Sequence, residues 1–131
     1  MQRIAINHSS GFTLIELIIV ITIIAILSVV AIPKYINLQG DAALAATNGV
    51  AGALSSASAT NYAARLEGNA STNAVSNCQS VALLLQGGTL PTFNGGSYSI
   101  SSTTIVSGSV AVCTLYGPNS QSTSFYGYGV S

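Results

Sequence analysis

The sequence predicts an α+β fold in which one long N-terminal α-helix packs against a small C-terminal antiparallel β-sheet. An apolar run over residues 14–32 contains a single charged residue, Glu16, and helical patterning resumes after Pro33 and continues to about Leu66. The remainder is rich in Ser, Thr, Gly and Asn and holds short stretches typical of strands. A chain of 131 residues accommodates one globular domain and one extended element.

Glu16 is the most informative residue of the apolar run. The run has 19 residues, enough for a helix to cross the core of a bilayer. A carboxylate at the membrane centre costs about 2.5 to 3.5 kcal/mol, and less near the interface, so Glu16 calls for a partner. One alternative needs no partner: Thr13-x-x-Glu16 fits a capping box, and an acid there complements the helix dipole. An uncleaved single-span anchor with a capped helix would carry the same two residues.

The residues in front of the run predict a leader. Residues 1–11 are short and polar, carry Arg3 and hold no acid. They lack the apolar segment and small-residue cleavage site of a secretory signal. The string Gly11-Phe12-Thr13-Leu14-Ile15-Glu16-Leu17 resembles the processing site of type IV prepilins and of the related pseudopilins of type II secretion, and the resemblance extends to about Leu38.

This resemblance implies roles for four residues. Precursors of this family are cleaved by a membrane peptidase on the cytoplasmic side, after a glycine that corresponds to Gly11. The same enzyme methylates the new N-terminal amine, which would be that of Phe12. The acid of the family's mature chain falls on Glu16, which would pair with the Phe12 amine of a neighbouring subunit. Pro33 stands where the family usually has a proline and predicts a helix kink.

The resemblance also implies an organisation and a set of partners. Residues 1–11 would be a leader that is removed, residues 12–33 a transmembrane and assembly helix, and residues 34–131 a globular domain outside the cell membrane. The precursor would cross the inner membrane once and then join a homo-oligomeric helical filament, a type IV pilus at the cell surface. Its partners would be the prepilin peptidase and the inner-membrane pilus assembly platform, and its roles adhesion, twitching motility or DNA uptake.

Three other functions stay open. A pseudopilin of type II secretion or a minor pilin would share the N-terminal segment. Major pseudopilins characteristically bind calcium through C-terminal acids, and no Asp or Glu follows Glu67 here. A monomeric membrane-anchored binding domain would keep its leader.

Composition argues against an enzyme and against a nucleic-acid site. The formal net charge is zero, so the chain offers no electrostatic footprint for DNA. The only histidine, His8, lies in the predicted leader, so neither a Ser-His nor a Cys-His nucleophile pair can form in the mature chain. Asp41 and Glu67 would lie about 39 Å apart on a straight helix, too far for a pair of catalytic carboxylates. We predict no catalytic residue, no metal and no cofactor.

Cys78 and Cys113 predict a disulfide. An even number of cysteines in an exported protein favours pairing. Closing a loop of about 36 residues would stabilise the fold by about 4 kcal/mol on the chain-entropy model. Two buried thiols are the alternative. In type IV pilins a C-terminal disulfide commonly bounds a surface loop, in agreement with the pairing.

The second half of the helix predicts an apolar stripe that ends near Gly68. Small residues there, with Gly40, Gly49 and Gly52, would let a sheet or a neighbouring helix approach closely, and we expect packing on the protein's own sheet to explain most of the stripe. Its members recur every seven residues with Leu54 beside them: Ile36, Ala43, Val50, Ala57 and Ala64.

The C-terminal half predicts a short helix, a loop and three strand regions. We interpret its aromatic residues as half-packed strand residues and Asn69-Ala70-Ser71 as a chance match to the N-glycosylation pattern. The helix is predicted over residues 80–86, the loop around Pro91 and Gly95-Gly96, the strands over residues 97–101, 103–107 with 109–116, and 124–130, and a turn at Gly117-Pro118-Asn119.

Overall fold

The computed structural model describes residues 11–93 and 96–131, and of Ile36 and Asn37 only the backbone. The predicted leader up to residue 10, with Arg3 and His8, and the predicted loop residue Gly95 lie outside the described residues. The chain divides into two compact units, one ending at Leu38 and the other spanning Gln39–Ser131, and each is described by itself.

The α+β prediction is confirmed. Helix α1 spans Leu14–Leu66 and contributes to both units. The described part of the second unit adds short 3₁₀ helices and antiparallel strands. The 3₁₀ helices are Cys78–Leu84 and Pro118–Ser120, and the strands are β1 Thr92–Phe93, β2 Gly96–Ser97, β3 Ser99–Ile100, β4 Val110–Tyr116 and β5 Ser122–Tyr128.

Helix α1 ends where the sequence predicts. Gly68 adopts φ +81°, a left-handed conformation in which a side chain would be strained. Its N–H donates to the carbonyl of Arg65 at 3.0 Å, and the N–H of Asn69 donates to that of Ala64 at 3.1 Å. These two bonds form a Schellman motif, which satisfies carbonyls at the helix end.

The buried face of α1 differs from the predicted heptad stripe. Ala43 is buried, but Val50, Ala57 and Ala64 are only half-buried, and the side chain of Ile36 is outside the described residues. A strict seven-residue repeat drifts by about 20° per heptad on a straight helix, so it leaves the core side. The residues that are buried instead follow a spacing of three to four: Ala43, Thr47, Ala51, Leu54 and Ser58.

We expected the small residues of this half of α1 to allow close packing on the protein's own sheet. For the three glycines this expectation is wrong. A Cβ added at Gly40, Gly49 or Gly52 would meet nothing within 4 Å. The second unit therefore gives no packing reason for these glycines.

The main sheet is a three-stranded antiparallel meander in the order β3-β4-β5. On β4, Cys113 and Leu115 are buried while Val110 and Val112 are exposed, which confirms the predicted alternation. Strand β5 pairs with β4 along its whole length, from Val110 opposite Tyr128 to Tyr116 opposite Ser122.

Two predictions for the strands are wrong. Residues 103–107 form no strand of the meander. The segment bonds to residues around the start of the first 3₁₀ helix: the Cys78 N–H donates to the Thr103 carbonyl and the Ile105 N–H to that of Ser76, both at 2.8 Å. The predicted loop after Pro91 contains the two short strands β1 and β2. Both errors concern pairings between distant or very short segments, which local alternation does not reveal.

Gly129 is a position where the fold requires glycine. A Cβ there would collide with the carbonyl oxygen of Val106 and lie 3.1 Å from the Ser107 Cα. Because these atoms belong to the backbone, no side-chain rotation relieves the clash. We expect Gly129→Ala to lower the free energy of unfolding of the second unit by about 1–3 kcal/mol. The measurement is the urea midpoint from pulse proteolysis of the detergent-solubilised full chain.

Gly49→Ala is the matched control for Gly129→Ala. Its Cβ meets open space, and alanine favours a helix over glycine by about 1 kcal/mol, so the midpoint should stay or rise. Equal midpoints for Gly129→Ala and the unchanged protein would show that the Val106 segment can move aside.

Candidate processing and assembly segment

The junction between Gly11 and Phe12 is accessible. Residues 11–13 precede α1 without regular structure, and the Phe12 side chain is 91% exposed. A Cβ added at Gly11 would meet nothing within 4 Å, and its φ lies outside the left-handed region. Among the described residues, none therefore requires a glycine at this position.

Glu16 and Thr13 form the capping box that the sequence allows. The Thr13 N–H and the Thr13 hydroxyl each donate to Glu16 Oε2 at 2.8 Å, and the Glu16 N–H donates to Thr13 Oγ1 at 3.4 Å. These bonds satisfy donors that the first turn of a helix leaves open. Among the described residues, none donates a hydrogen bond to the second oxygen, Oε1, which leaves that atom available to a cation.

The side chains that follow Glu16 are apolar and exposed. Among the described residues, one helix, α1, is long and apolar enough to cross a membrane. Its most apolar window has a mean hydropathy of 3.0, and none of that window is buried. The apolar run over residues 14–32 contains two hydroxyl side chains, and both are bonded within the helix. Thr22 donates to the Ile18 carbonyl and Ser28 to that of Ile24, each at 2.7 Å. An apolar surrounding would meet no unsatisfied hydroxyl on this face.

Pro33 lies inside α1, and the helix continues on both sides of it. The predicted kink there stays a prediction, as do the boundaries at residues 11, 33 and 34. Gly11, Phe12 and Glu16 lie together at the start of the first unit, whereas Cys78 and Cys113 belong to the second.

A disulfide joins Cys78 to Cys113, with 5.7 Å between the two Cα atoms. It connects the start of the first 3₁₀ helix to the middle of β4, and both side chains are fully buried. The bridge belongs to the core, which also contains Leu54, Leu115 and Phe125.

The sequence reading missed several hydroxyl and amide side chains that organise the second unit. Ser55 and Ser58 accept hydrogen bonds from the backbone N–H groups of Tyr126 and Tyr128, at 3.1 and 2.8 Å, so α1 covers the outer edge of β5. No local signal predicts these contacts across some 70 residues. Asn77 caps the first 3₁₀ helix by accepting from the Ser80 N–H at 2.9 Å, and the Asn-x-x-Ser spacing could have predicted this cap.

Comparison with protein families found one motif. Residues 6–32 match the model of the prokaryotic N-terminal methylation motif, and this span includes Gly11, Phe12 and Glu16. Comparison of the chain with curated proteins and with solved structures gave no match.

Proposed function

From the N-terminal methylation motif, the hallmark of type IV pilin-like and pseudopilin-like precursors, we propose that this chain is the structural subunit of a type IV pilus. The precursor inserts with residues 1–11 in the cytoplasm and Lys34 outside. The prepilin peptidase cleaves after Gly11 and methylates the Phe12 amine. The inner-membrane assembly platform then adds the mature chain to a helical filament of identical subunits.

The exposed apolar face of α1 supports both stages of this proposal. Before assembly, lipid covers the side chains of residues 14–32, and because Thr22 and Ser28 are already bonded to the backbone, Glu16 is the one charged group to accommodate there. After assembly, the same face packs on the helices of neighbouring subunits in the filament core. A large exposed apolar surface otherwise remains in contact with water, which favours aggregation.

The observation that carries the proposal is the different hydrogen bonding of the two carboxylate oxygens of Glu16. Oε2 holds the helix cap with Thr13, while Oε1 is open among the described residues. A methylated Phe12 ammonium from a neighbouring subunit can therefore bind Oε1 without breaking the cap. In an apolar filament core an ion pair of this kind is needed, because either charge alone is costly. The pair fixes the axial register of one subunit against the next.

The test is the mass of the protein in filaments sheared from the cell surface. The mature chain has tryptic sites at Lys34 and Arg65. We expect a peptide of residues 12–34 with one added methyl group, and a peptide of residues 66–131 that is two hydrogens lighter than its reduced form. The processed chain found in membranes and absent from sheared filaments would favour a pseudopilin or a minor pilin. A peptide that retains residues before Phe12 would overturn the proposal and leave a capped membrane anchor.

Gly11→Ser tests the processing step alone. Because a Cβ at Gly11 meets nothing within 4 Å, we expect the substitution to leave the structure of the described residues unchanged. We expect the precursor to accumulate uncleaved, seen as a larger band on a gel, with no sheared filaments. Gly49→Ser is the control, since its Cβ also meets nothing within 4 Å and the residue is far from the junction. Normal cleavage of Gly11→Ser would contradict the assignment of the site.

A further inference from the structure

We propose that Asn69 is an N-glycosylation site, which takes an oligosaccharide on the outer face of the membrane. The sequence contains two Asn-x-Ser/Thr patterns, at Asn7 and at Asn69. Asn7 lies in the predicted leader, so Asn69 carries the one pattern of the mature chain. The sequence alone favours a chance match at Asn69, and the exposure and hydrogen bonding of its loop support a site. The inference relies on one part of the proposed function, the position of residues after Lys34 outside the membrane.

The pattern lies where a large enzyme can reach it. Asn69, Ala70 and Ser71 are all exposed, directly after the Schellman motif that ends α1. The loop is held to the helix at its far end, where Asn61 Nδ2 donates to the Asn73 carbonyl at 2.8 Å and the Asn73 N–H donates to Asn61 Oδ1 at 3.0 Å. The acceptor is thus presented on a short, anchored loop.

The carboxamide of Asn69 is oriented for attack. Its Oδ1 accepts the Ser71 N–H at 2.9 Å, and because a backbone N–H must meet an oxygen, this bond settles which atom is the nitrogen. Among the described residues, none accepts a hydrogen bond from Asn69 Nδ2. Because Asn69 is exposed, its nitrogen is accessible to a transferase with both of its protons.

The surface beside Asn69 suits a sugar. A depression of about 340 Å³ adjoins the loop, lined by the polar residues Thr60, Asn61 and Thr72 and by the apolar residues Ala57 and Ala64. Neutral hydroxyl and amide groups beside small apolar patches match the hydroxyl groups and apolar faces of a pyranose ring. The first sugar of the glycan would lie over this depression.

The charged residues nearest to the acceptor in the chain are Arg65 and Glu67, at the end of α1. No Asp, Glu, Lys, Arg or His follows Glu67, which stands two residues before Asn69. The exposed carboxylate of Glu67 offers a transferase an acidic contact beside the acceptor.

The reaction is a glycosyl transfer without oxidation or reduction. The donor is an oligosaccharide joined to a polyprenyl diphosphate. Asn69 Nδ2 attacks the anomeric carbon, a C–N bond forms, and the bond from that carbon to the phosphate oxygen breaks. Polyprenyl diphosphate leaves, and one proton of the amide passes to a base of the transferase or to water.

The experiment is peptide mass analysis of the protein from its native host. Because no Lys or Arg follows Arg65, trypsin yields residues 66–131 as one peptide that contains Asn69. We expect this peptide to carry an excess equal to a sum of monosaccharide residue masses, located on Asn69 by fragmentation. Asn69→Asp keeps the oxygen that accepts from Ser71 and removes the nucleophile, so the excess should vanish. Ser71→Ala should abolish it, Ser71→Thr should keep it, and Glu67→Gln should lower its occupancy several-fold.

An unmodified peptide from the native protein would overturn the inference, and so would an excess that survives Asn69→Asp and Ser71→Ala, because it would then lie on hydroxyl side chains. The same digest separates this inference from the proposed function. Residues 12–34 report cleavage and methylation, while residues 66–131 report the glycan. An unmodified 66–131 peptide together with a methylated Phe12 would contradict only the glycosylation of Asn69. An uncleaved but glycosylated chain would contradict only the proposed cleavage after Gly11.

Discussion

Glu16→Ala should abolish filaments while the precursor still inserts in the membrane. The substitution leaves the methylated Phe12 ammonium of a neighbouring subunit without a partner in an apolar core. Removing one partner of a buried ion pair costs about 3–5 kcal/mol, which corresponds to about 10² to 10⁴ in the equilibrium constant for each subunit added. A filament repeats this loss at every subunit, so its yield should fall below detection. The measurement is the amount of this protein in the sheared surface fraction and in the membrane fraction.

Two further variants separate the ion pair from the helix cap. Glu16→Gln keeps an oxygen that can accept the bonds from Thr13 and removes the charge, so we expect it to fail in assembly as Glu16→Ala does. Thr13→Val removes the hydroxyl of the cap but keeps the Thr13 N–H and the carboxylate, and it should still form filaments. Filaments from Glu16→Gln in normal amounts would show that Glu16 serves the cap and not an ion pair.

Replacement of both cysteines by alanine should lower the free energy of unfolding of the second unit by about 4 kcal/mol. The disulfide closes a long loop, since Cys78 and Cys113 are 35 residues apart, and it restricts the unfolded chain accordingly. Native domains have a net stability of only about 5–15 kcal/mol, so a loss of this size leaves the unit open to proteases. The measurement is the urea concentration at which chymotrypsin begins to cleave the detergent-solubilised full chain at its buried Tyr98 and Phe125.

Reduction of the unchanged protein provides the control for the double variant. Dithiothreitol should shift its urea midpoint toward that of the alanine variant and should leave the variant itself unaffected. Because Cys78→Ala alone leaves a buried thiol at Cys113, the double substitution compares the two states without a free cysteine. Protease resistance that is equal before and after reduction would contradict a stabilising role for the bridge.

Local rules predict much of this fold, and pairings between distant segments account for the errors. The end of α1 follows from Gly68, because the left-handed conformation is open to glycine. The faces of β4 follow from the alternation around Cys113. Residues 103–107 contain a strand-like pattern, yet their partners lie at residues 76–78, where no sequence signal points to them. The burial of Ser58 was equally hidden, because its hydroxyl accepts from the distant Tyr128 N–H, whereas the buried Thr47 hydroxyl donates locally to the Ala43 carbonyl.

The N-terminal segment was predictable for a different reason. Its information is local, since Thr13 and Glu16 are three residues apart and their capping box needs no tertiary contact. The sequence left the cap and the ion pair as alternatives. The geometry makes them compatible, because the cap uses one carboxylate oxygen and leaves the other open. The conformation of the loop that contains Asn69 was not predictable. It depends on the two hydrogen bonds between Asn61 and Asn73, which form only because the chain returns to the helix.

The serines that cover strand β5 bear on how such a subunit survives crowding. An open strand edge presents a row of unpaired N–H and C=O groups that recruit strands from other molecules. Ser55 and Ser58 bond the outward N–H groups of Tyr126 and Tyr128, and the opposite edge of the sheet, β3, is only two residues long. Copies of the chain that lie side by side at high density in a bilayer, as the proposed function requires, would therefore expose few unpaired backbone groups of strand edges to each other. In the proposed filament, this covering would protect polymerisation through helices from a competing route, the growth of amyloid-like sheets.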